Sequence, residues 1–259
     1  MLPNSSRETV PISMTVNISA QNIRGLLLDI EGTTTPIAFV YEVLFPFARA
    51  HVSEYLSRHL TDDDVRLDVG RLREEHAKDV ADGLSPPPFQ SSELPSIVGY
   101  VHWLMNYDRK STGLKSLQGK VWEAGYRAGT LRSEVFPDVP AALERWHNDG
   151  LRVAIFSSGS VLAQQLLFAH TAGGDVTQFI DAYFDTTIGP KNDPDSYRRI
   201  CSELHFNPEQ VLFITDVSTE LEAAIKAGLH SALCVRPGNP PQPKMNEQLI
   251  IRSLDDVKD

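Results

Sequence analysis

The sequence predicts an α/β protein, a doubly wound, mostly parallel sheet interrupted by a helical insert. Three observations carry this prediction. From residue 132 onward, short apolar runs alternate with amphipathic stretches; one more apolar run stands near the start; and the residues between show helical periodicity without a strand signal. Such alternation gives parallel strands with helices on both faces, because right-handed crossovers return each strand beside an earlier one.

The first strand is read over Ile23 to Asp29, whose centre is Leu26-Leu-Leu28. Helices follow at Tyr41 to His59, Val65 to Val80, Ser96 to Tyr107 and Leu117 to Ala128. The segment Gly83 to Ser92 contains Pro86-Pro-Pro88 and reads as a loop that cannot pair regularly. Residues 41–131 are therefore expected to form a helical insert, residues 21–40 and 132–259 the sheet domain, and residues 1–20 a disordered tail.

Past the insert, Asp138 to Asp149 reads as a helix with Asp138 as N-cap, Pro140 in the tolerant first turn and Gly150 as the stop. Val139, Ala142, Leu143 and Trp146 give it one apolar face. Strands are expected at Arg152–Ser157, Ala182–Asp185, Val211–Asp216 and Ser231–Val235. The helices between them are Val161–His170, Asp195–Leu204 and Thr219–Ala227, the last closed by Gly228.

With 41% apolar and 22% charged residues in 259, the chain has enough material for a large buried core. Its formal charge of -10 argues against nucleic acid or an anionic membrane as partner, since both reward clustered Lys and Arg. A small anion remains compatible, because one local cation or metal outweighs the global charge. No apolar run approaches the ~18 residues of a membrane span. Residues 1–20 hold one basic residue, Arg7, and no apolar core, which argues against a secretory signal. Cys201 and Cys234 read as free thiols of a reducing compartment, and the sequons at Asn4 and Asn17 carry no meaning there. The chain is expected to be soluble and cytoplasmic.

Ligands in open α/β sheets bind beyond the carboxyl ends of the strands, and several predicted strands end in polar residues. Asp29-Ile-Glu31-Gly-Thr33 places two acids at i and i+2 in a Gly turn; they either point into one crevice or are solvated acids at a strand end. Ser157-Ser158-Gly-Ser160 is either an anion-binding nest or an ordinary helix cap by Ser160. Lys191, after Gly189-Pro190, either reaches a phosphate oxygen or is a solvated lysine. Asp216 and Glu220 straddle a strand-to-helix turn, where they suit Mg²⁺ or merely favour the helix dipole.

The order of these features is more specific than any one of them. Asp-x-acid-Gly-Thr, then Ser, then Lys, then paired acids, each after a strand, resembles the four motifs of the haloacid dehalogenase-like hydrolase superfamily. The resemblance implies that Asp29 attacks phosphorus, that Ser157 and Lys191 hold phosphoryl oxygens, that Asp216 helps bind Mg²⁺, and that the 41–131 insert is a cap. Most phosphatases of the superfamily carry Asp two residues after the nucleophile, whereas this chain has Glu31. That substitution within Asp29-Ile-Glu-Gly-Thr-Thr-Thr-Pro-Ile37 resembles the enolase-phosphatase (acireductone synthase) family of methionine salvage. Lys115-Ser-Leu-Gln-Gly119 with Trp122, Phe156-Ser-Ser-Gly-Ser160, Phe184-Asp-Thr186 and Arg236-Pro-Gly-Asn239 agree with it.

That family resemblance implies enolisation of 2,3-diketo-5-methylthiopentyl 1-phosphate followed by loss of phosphate. It implies Asp29 and Glu31 as catalytic residues, with Glu31 as acid and then base. Ser157, Ser158 and Lys191 are implied at the substrate, and one Mg²⁺ per subunit on Asp29, the Glu31 backbone carbonyl and Asp216. The implied enzyme is a monomer of the cytoplasm, and of the nucleus in a eukaryote. The group that takes the C1 proton stays open between Glu31 and Lys115. Glu220 either holds a metal-bound water or orients Lys191. The rival within the superfamily is a single-step phosphatase acting on another small phosphomonoester.

Overall fold

The computed structural model describes residues 15–107, 109–243 and 249–259. Along the chain these form β1 (Val16–Asn17), β2 (Gly25–Leu28), a π-helical segment (Phe39–Leu44), α1 (Phe45–His59), α2 (Asp63–Ala81), α3 (Leu94–Asn106), α4 (Thr112–Arg127) and α5 (Val139–Asn148). Then come β3 (Arg152–Phe156), α6 (Val161–Ala169), β4 (Ala182–Phe184), α7 (Pro194–Glu203), β5 (Val211–Thr215), α8 (Ser218–Ala227), β6 (His230–Cys234), β7 (Ile250–Ile251) and β8 (Val257–Lys258).

The chain divides into two compact units. The α/β unit holds the described residues up to Pro36, with Phe136–Phe156 and Phe179–Asp259. Its six-stranded sheet is parallel throughout, in the order β4-β3-β2-β5-β6-β7. The chain builds from β2 outward on one side and then crosses to the other, so a topological switch point flanks β2. All four residues of β2 are buried, which is why its sequence runs apolar instead of alternating. On one face, Leu27, Ala154, Phe156 and Phe213 pack against Tyr197, Ile200 and Cys201 of α7 and Ala223 and Ala224 of α8. Burying each large side chain contributes about 2 kcal/mol relative to exposure. α8 ends at Gly228, whose φ of +99° is the left-handed conformation expected of a helix stop.

The helical unit holds Ile37–Val135 and Ser157–Gln178. Within it α4 packs on α2, α1 and α6, and α6 groups here rather than with the sheet domain to which its sequence position assigned it. Glu75 on α2 accepts from the backbone of Thr112 at 2.8 Å and Gly113 at 3.2 Å, capping α4 from outside.

Three sequence expectations are corrected. Val16–Asn17 pairs in parallel with Val257–Lys258, and Val16 and Ile18 are buried, so these residues of the expected 1–20 tail are ordered; residues 1–14 lie outside the described residues. The single helix expected at 41–59 is a π-helical segment running into α1, because Pro46 has no N–H to continue the α-helical ladder. Asp138 does not cap α5: its carboxylate accepts from Arg236, Ser253 and Leu254 instead.

Candidate active site

Asp29 leaves the carboxyl end of β2, and Asp216 leaves the adjacent β5. Register pairs Leu28 with Ile214, and the Asp29 N–H donates to the Ile214 carbonyl at 3.0 Å. Both acids are buried, at 2% and 4% exposure. Asp29 Oδ1 accepts from Lys191 Nζ at 2.6 Å and from the Ile30 N–H at 2.8 Å, while Oδ2 accepts from Thr215 Oγ1 at 3.0 Å. These bonds fix both carboxylate oxygens and leave the side chain no freedom to rotate. Lys191 also pairs with Glu220 Oε2 at 2.7 Å. Its backbone is held in turn, since Tyr197 Oη donates to the Lys191 carbonyl at 2.6 Å. Glu220 is thereby an orienting partner of Lys191.

Beyond β2 the chain curls tightly. The N–H groups of Thr33, Thr34 and Thr35 converge on the Ile30 carbonyl at 2.9–3.2 Å, and Thr34 Oγ1 donates to the Asp29 carbonyl at 3.1 Å. Gly32 takes φ +71°, and a Cβ there would stand 2.2 Å from Asp216 Oδ2. Only glycine leaves room for the Asp216 carboxylate, which explains the Gly after Glu31. Glu31 is half-buried, and its charge acts on both Lys191 and Asp216.

The electrostatics follow from crowding. Burial, then the charge of Asp29, pushes the Asp216 carboxyl up to about 7 despite Lys191. The same causes, in the same order, push Glu220 up to about 8. Burial works against the Lys191 ammonium, yet Asp29, Glu220 and Glu31 together hold its pKa above the usual lysine range. Thr215 Oγ1 lies 3.0 Å from carboxylates of both Asp29 and Glu220, and its one proton serves one of them at a time. A protonated Glu220 satisfies both contacts.

This donor set fits a hard dication. Asp29 and Asp216 are buried oxygen donors on neighbouring strand ends, and the charge of each disfavours that of the other although Lys191 already pairs with Asp29, so a further cation is electrostatically welcome between them. Among the described residues no three His, Cys, Asp or Glu side chains form a ready-made metal cluster. Mg²⁺ tolerates that, taking one or two carboxylates and completing its shell with carbonyl, water and substrate oxygens.

The α/β unit thus brings together Asp29, Lys191 and Asp216, with Glu31 close enough for its charge to act on both of the last two. Ser157 and Ser158 follow β3 directly and group with the helical unit. Ser157 is buried and its Oγ accepts from the Gly159 N–H at 3.0 Å; Ser158 is exposed. Ser160 caps α6, accepting from the Ala163 N–H at 3.3 Å. Trp122 is buried with its indole N–H on the Leu44 carbonyl at 2.8 Å, and it does not line the cavity of about 260 Å³ formed by Tyr41, Phe45, Leu104, Met105 and Leu114. His102 lies 3.2 Å from the Arg49 carbonyl and His170 3.0 Å from the Leu166 carbonyl. Cys201 and Cys234 are free and buried. Sequence reasoning missed Thr215, whose signal was a hydroxyl closing an otherwise apolar strand.

A parallel switch-point sheet with a nucleophile-type Asp, a buried Lys and a second acid pair defines a haloacid dehalogenase-like hydrolase. The sequence profile of the haloacid dehalogenase-like hydrolase family matches residues 23–228. The enolase-phosphatase E1 of Synechococcus elongatus is 49% identical over 218 residues, covering 84% of this chain and 91% of the relative. That of Xenopus tropicalis is 44% identical over 221 residues, 83% and 85% of the two chains. The crystal structure of UTR4 protein from Saccharomyces cerevisiae superposes with a TM-score of 0.73 at 31% identity, covering 90% of this chain and 98% of that one. The chain belongs to the enolase-phosphatase E1 family within the haloacid dehalogenase-like hydrolases.

Proposed function

We propose that the chain converts 2,3-diketo-5-methylthiopentyl 1-phosphate to 1,2-dihydroxy-3-keto-5-methylthiopentene and phosphate, a step of methionine salvage. The observation that carries this reading is Asp29, buried and fixed by Lys191 and Thr215 at a switch point, followed two residues on by Glu31. An Asp–x–Asp phosphatase has the shorter acid there, and the extra methylene of Glu31 suits a site that handles an enol as well as an ester.

In the phosphatase step the Asp29 carboxylate attacks phosphorus and the bond to the substrate oxygen breaks. Glu31 gives that oxygen a proton. Glu31 then takes a proton from water, which attacks the aspartyl-phosphate, releasing phosphate and restoring Asp29. Lys191 neutralises the phosphoryl oxygens, and Ser157 and Ser158 donate to them. Glu220 keeps Lys191 extended over Asp29. Asp29, the Glu31 carbonyl and Asp216 would hold one Mg²⁺ per subunit. When bound, it supplies the charge that lets a carboxylate approach a phosphate and that stabilises an enolate oxygen. The helical residues 41–131 act as the cap that excludes water. The enzyme works as a cytoplasmic monomer.

The test incubates pure protein with the diketo phosphate and follows enol absorbance and phosphate together. Both signals are expected, and both stop when a chelator removes divalent metal. Phosphate without the enol product favours a single-step phosphatase acting on another phosphomonoester. Full activity in chelator overturns the Mg²⁺ assignment.

A further inference from the structure

Two polar side chains outside this chemistry reach the turn that carries Glu31. Asn239 donates through Nδ2 to the Gly32 carbonyl at 2.9 Å, and Arg236 donates through Nε to the Thr33 carbonyl at 3.1 Å. Both lie on the segment after β6, more than 200 residues along the chain from the turn they hold. Arg236 is itself immobilised: it is 6% exposed, pairs with Asp138 at 2.9 Å, donates to the Arg252 carbonyl at 3.2 Å and lies 4.4 Å over the Phe136 ring. A guanidinium held on several sides is a rigid fork, unlike a mobile surface charge.

Asp216 rests on this same turn. A Cβ on Gly32 would stand 2.2 Å from Asp216 Oδ2 and 3.1 Å from Asn239 Oδ1, so the acid and the amide both fill the space over this one glycine. Moving the Gly32–Thr33 backbone outward would open the space over Gly32; moving it inward would push Asp216 away. We propose that Arg236 and Asn239 are positioning residues: by holding the Gly32 and Thr33 carbonyls they set where the Glu31 backbone stands relative to Asp216. Neither touches substrate. They act through the turn, and the inference rests on the roles of Glu31 and Asp216 proposed above.

The experiment compares Asn239→Ala and Arg236→Lys with the natural chain in three measurements. Arg236→Lys keeps a cation for Asp138 and removes the planar fork, while Asn239→Ala leaves the Arg236–Asp138 pair in place, so each variant checks the other. Hydrogen exchange is expected to accelerate by roughly fivefold at the amides of Gly32 to Thr35, the loss of one hydrogen bond, with amides elsewhere in the sheet unmoved. Calorimetry with Mg²⁺ alone is expected to show affinity weakened by about tenfold, the usual effect of losing an outer partner of a metal site. Turnover is expected to recover as Mg²⁺ is raised. Exchange accelerating uniformly over the α/β unit, or Mg²⁺ affinity unchanged in both variants, overturns the proposal. A natural chain that does not bind Mg²⁺ defeats the functional reading instead, and the exchange measurement, which needs no metal, still decides the clamp.

Discussion

The two units bury carboxylates in opposite ways. In the helical unit Asp68, 1% exposed, receives Lys120, Arg71 at 3.1 Å and Ser116 at 3.0 Å. Asp79, 4% exposed, receives Arg109 at 2.5 Å and the Tyr100 hydroxyl at 2.8 Å. Each of these acids has at least one cation and one neutral donor, although Lys120 also reaches the exposed Asp64 at 3.4 Å. In the α/β unit Asp29, Glu220 and Glu31 all act on the one ammonium of Lys191, with Asp216 beside them. Balanced pairs hold helices together and ask for nothing further. An excess of buried negative charge costs stability in the resting protein, and it is kept where the chemistry supplies cations of its own.

The largest effect that sharpens this contrast is Asp29→Asn. It removes the nucleophile, and phosphate release is expected to fall by a factor on the order of 10³ or more. The amide keeps the shape: its oxygen still accepts from Lys191 and the Ile30 N–H, and its NH2 donates to Thr215 Oγ1, whose own proton goes to Glu220, while Lys191 also keeps Glu220. Removing one charge from a repelling group also relieves Asp216 and Glu220, so the thermal midpoint is expected to hold or rise. Retained turnover would sink the nucleophile assignment. A marked drop in the midpoint would show Asp29 to be scaffold, like Asp68.

Asp68→Asn applies the same chemical change to a balanced site and is expected to give the opposite result. Lys120, 15% exposed, loses its buried partner, and breaking such a pair costs about 3 kcal/mol. Denaturant titration measures that loss. The rate per folded molecule is expected to stay as it was, because Asp68 takes no part in the chemistry. If Asp68→Asn left stability untouched and Asp29→Asn lowered it, the distinction between balanced and excess charge would collapse.

Much of this was legible in the sequence, for identifiable reasons. Strands β2, β3 and β5 are apolar runs closed by polar residues, a local pattern that needs no tertiary information. β1, β7 and β8, two residues each, are defined by their partners, so periodicity has nothing to report. Asp29 and Asp216 were visible because their chemistry sits in short motifs. Thr215, Asp138 and the grip of Arg236 and Asn239 on the turn were not. Their partners lie far away along the chain, and a Thr in a strand or an Asp before a helix has ordinary local explanations. The N-cap reading of Asp138 was chemically sound, and it lost to a guanidinium that offers a charge as well as a proton.

Asp138 also tests whether charge balance or location is what separates the two kinds of acid, because it lies in the α/β unit yet belongs with the balanced pairs. Burial acts to raise its carboxyl, but the Arg236 guanidinium and the Leu254 and Ser253 donors outweigh that and hold it below the usual aspartate range. A carboxyl whose pKa is lower folded than unfolded contributes stability that is full above the unfolded value and is lost as pH falls through the folded one. Asp138→Asn is therefore expected to cost about 1.5–3 kcal/mol at neutral pH, the range for hydrogen bonds to a charged group. The gap to the natural chain should close in acid, as both present a neutral side chain to Arg236. Denaturant midpoints of the two chains between neutral and strongly acid pH measure it. A gap constant with pH would mean that shape, not charge, fixes Asp138. A gap that widened in acid would place Asp138 with the repelling acids around Asp29, and the division would then follow the unit rather than the balance of charge.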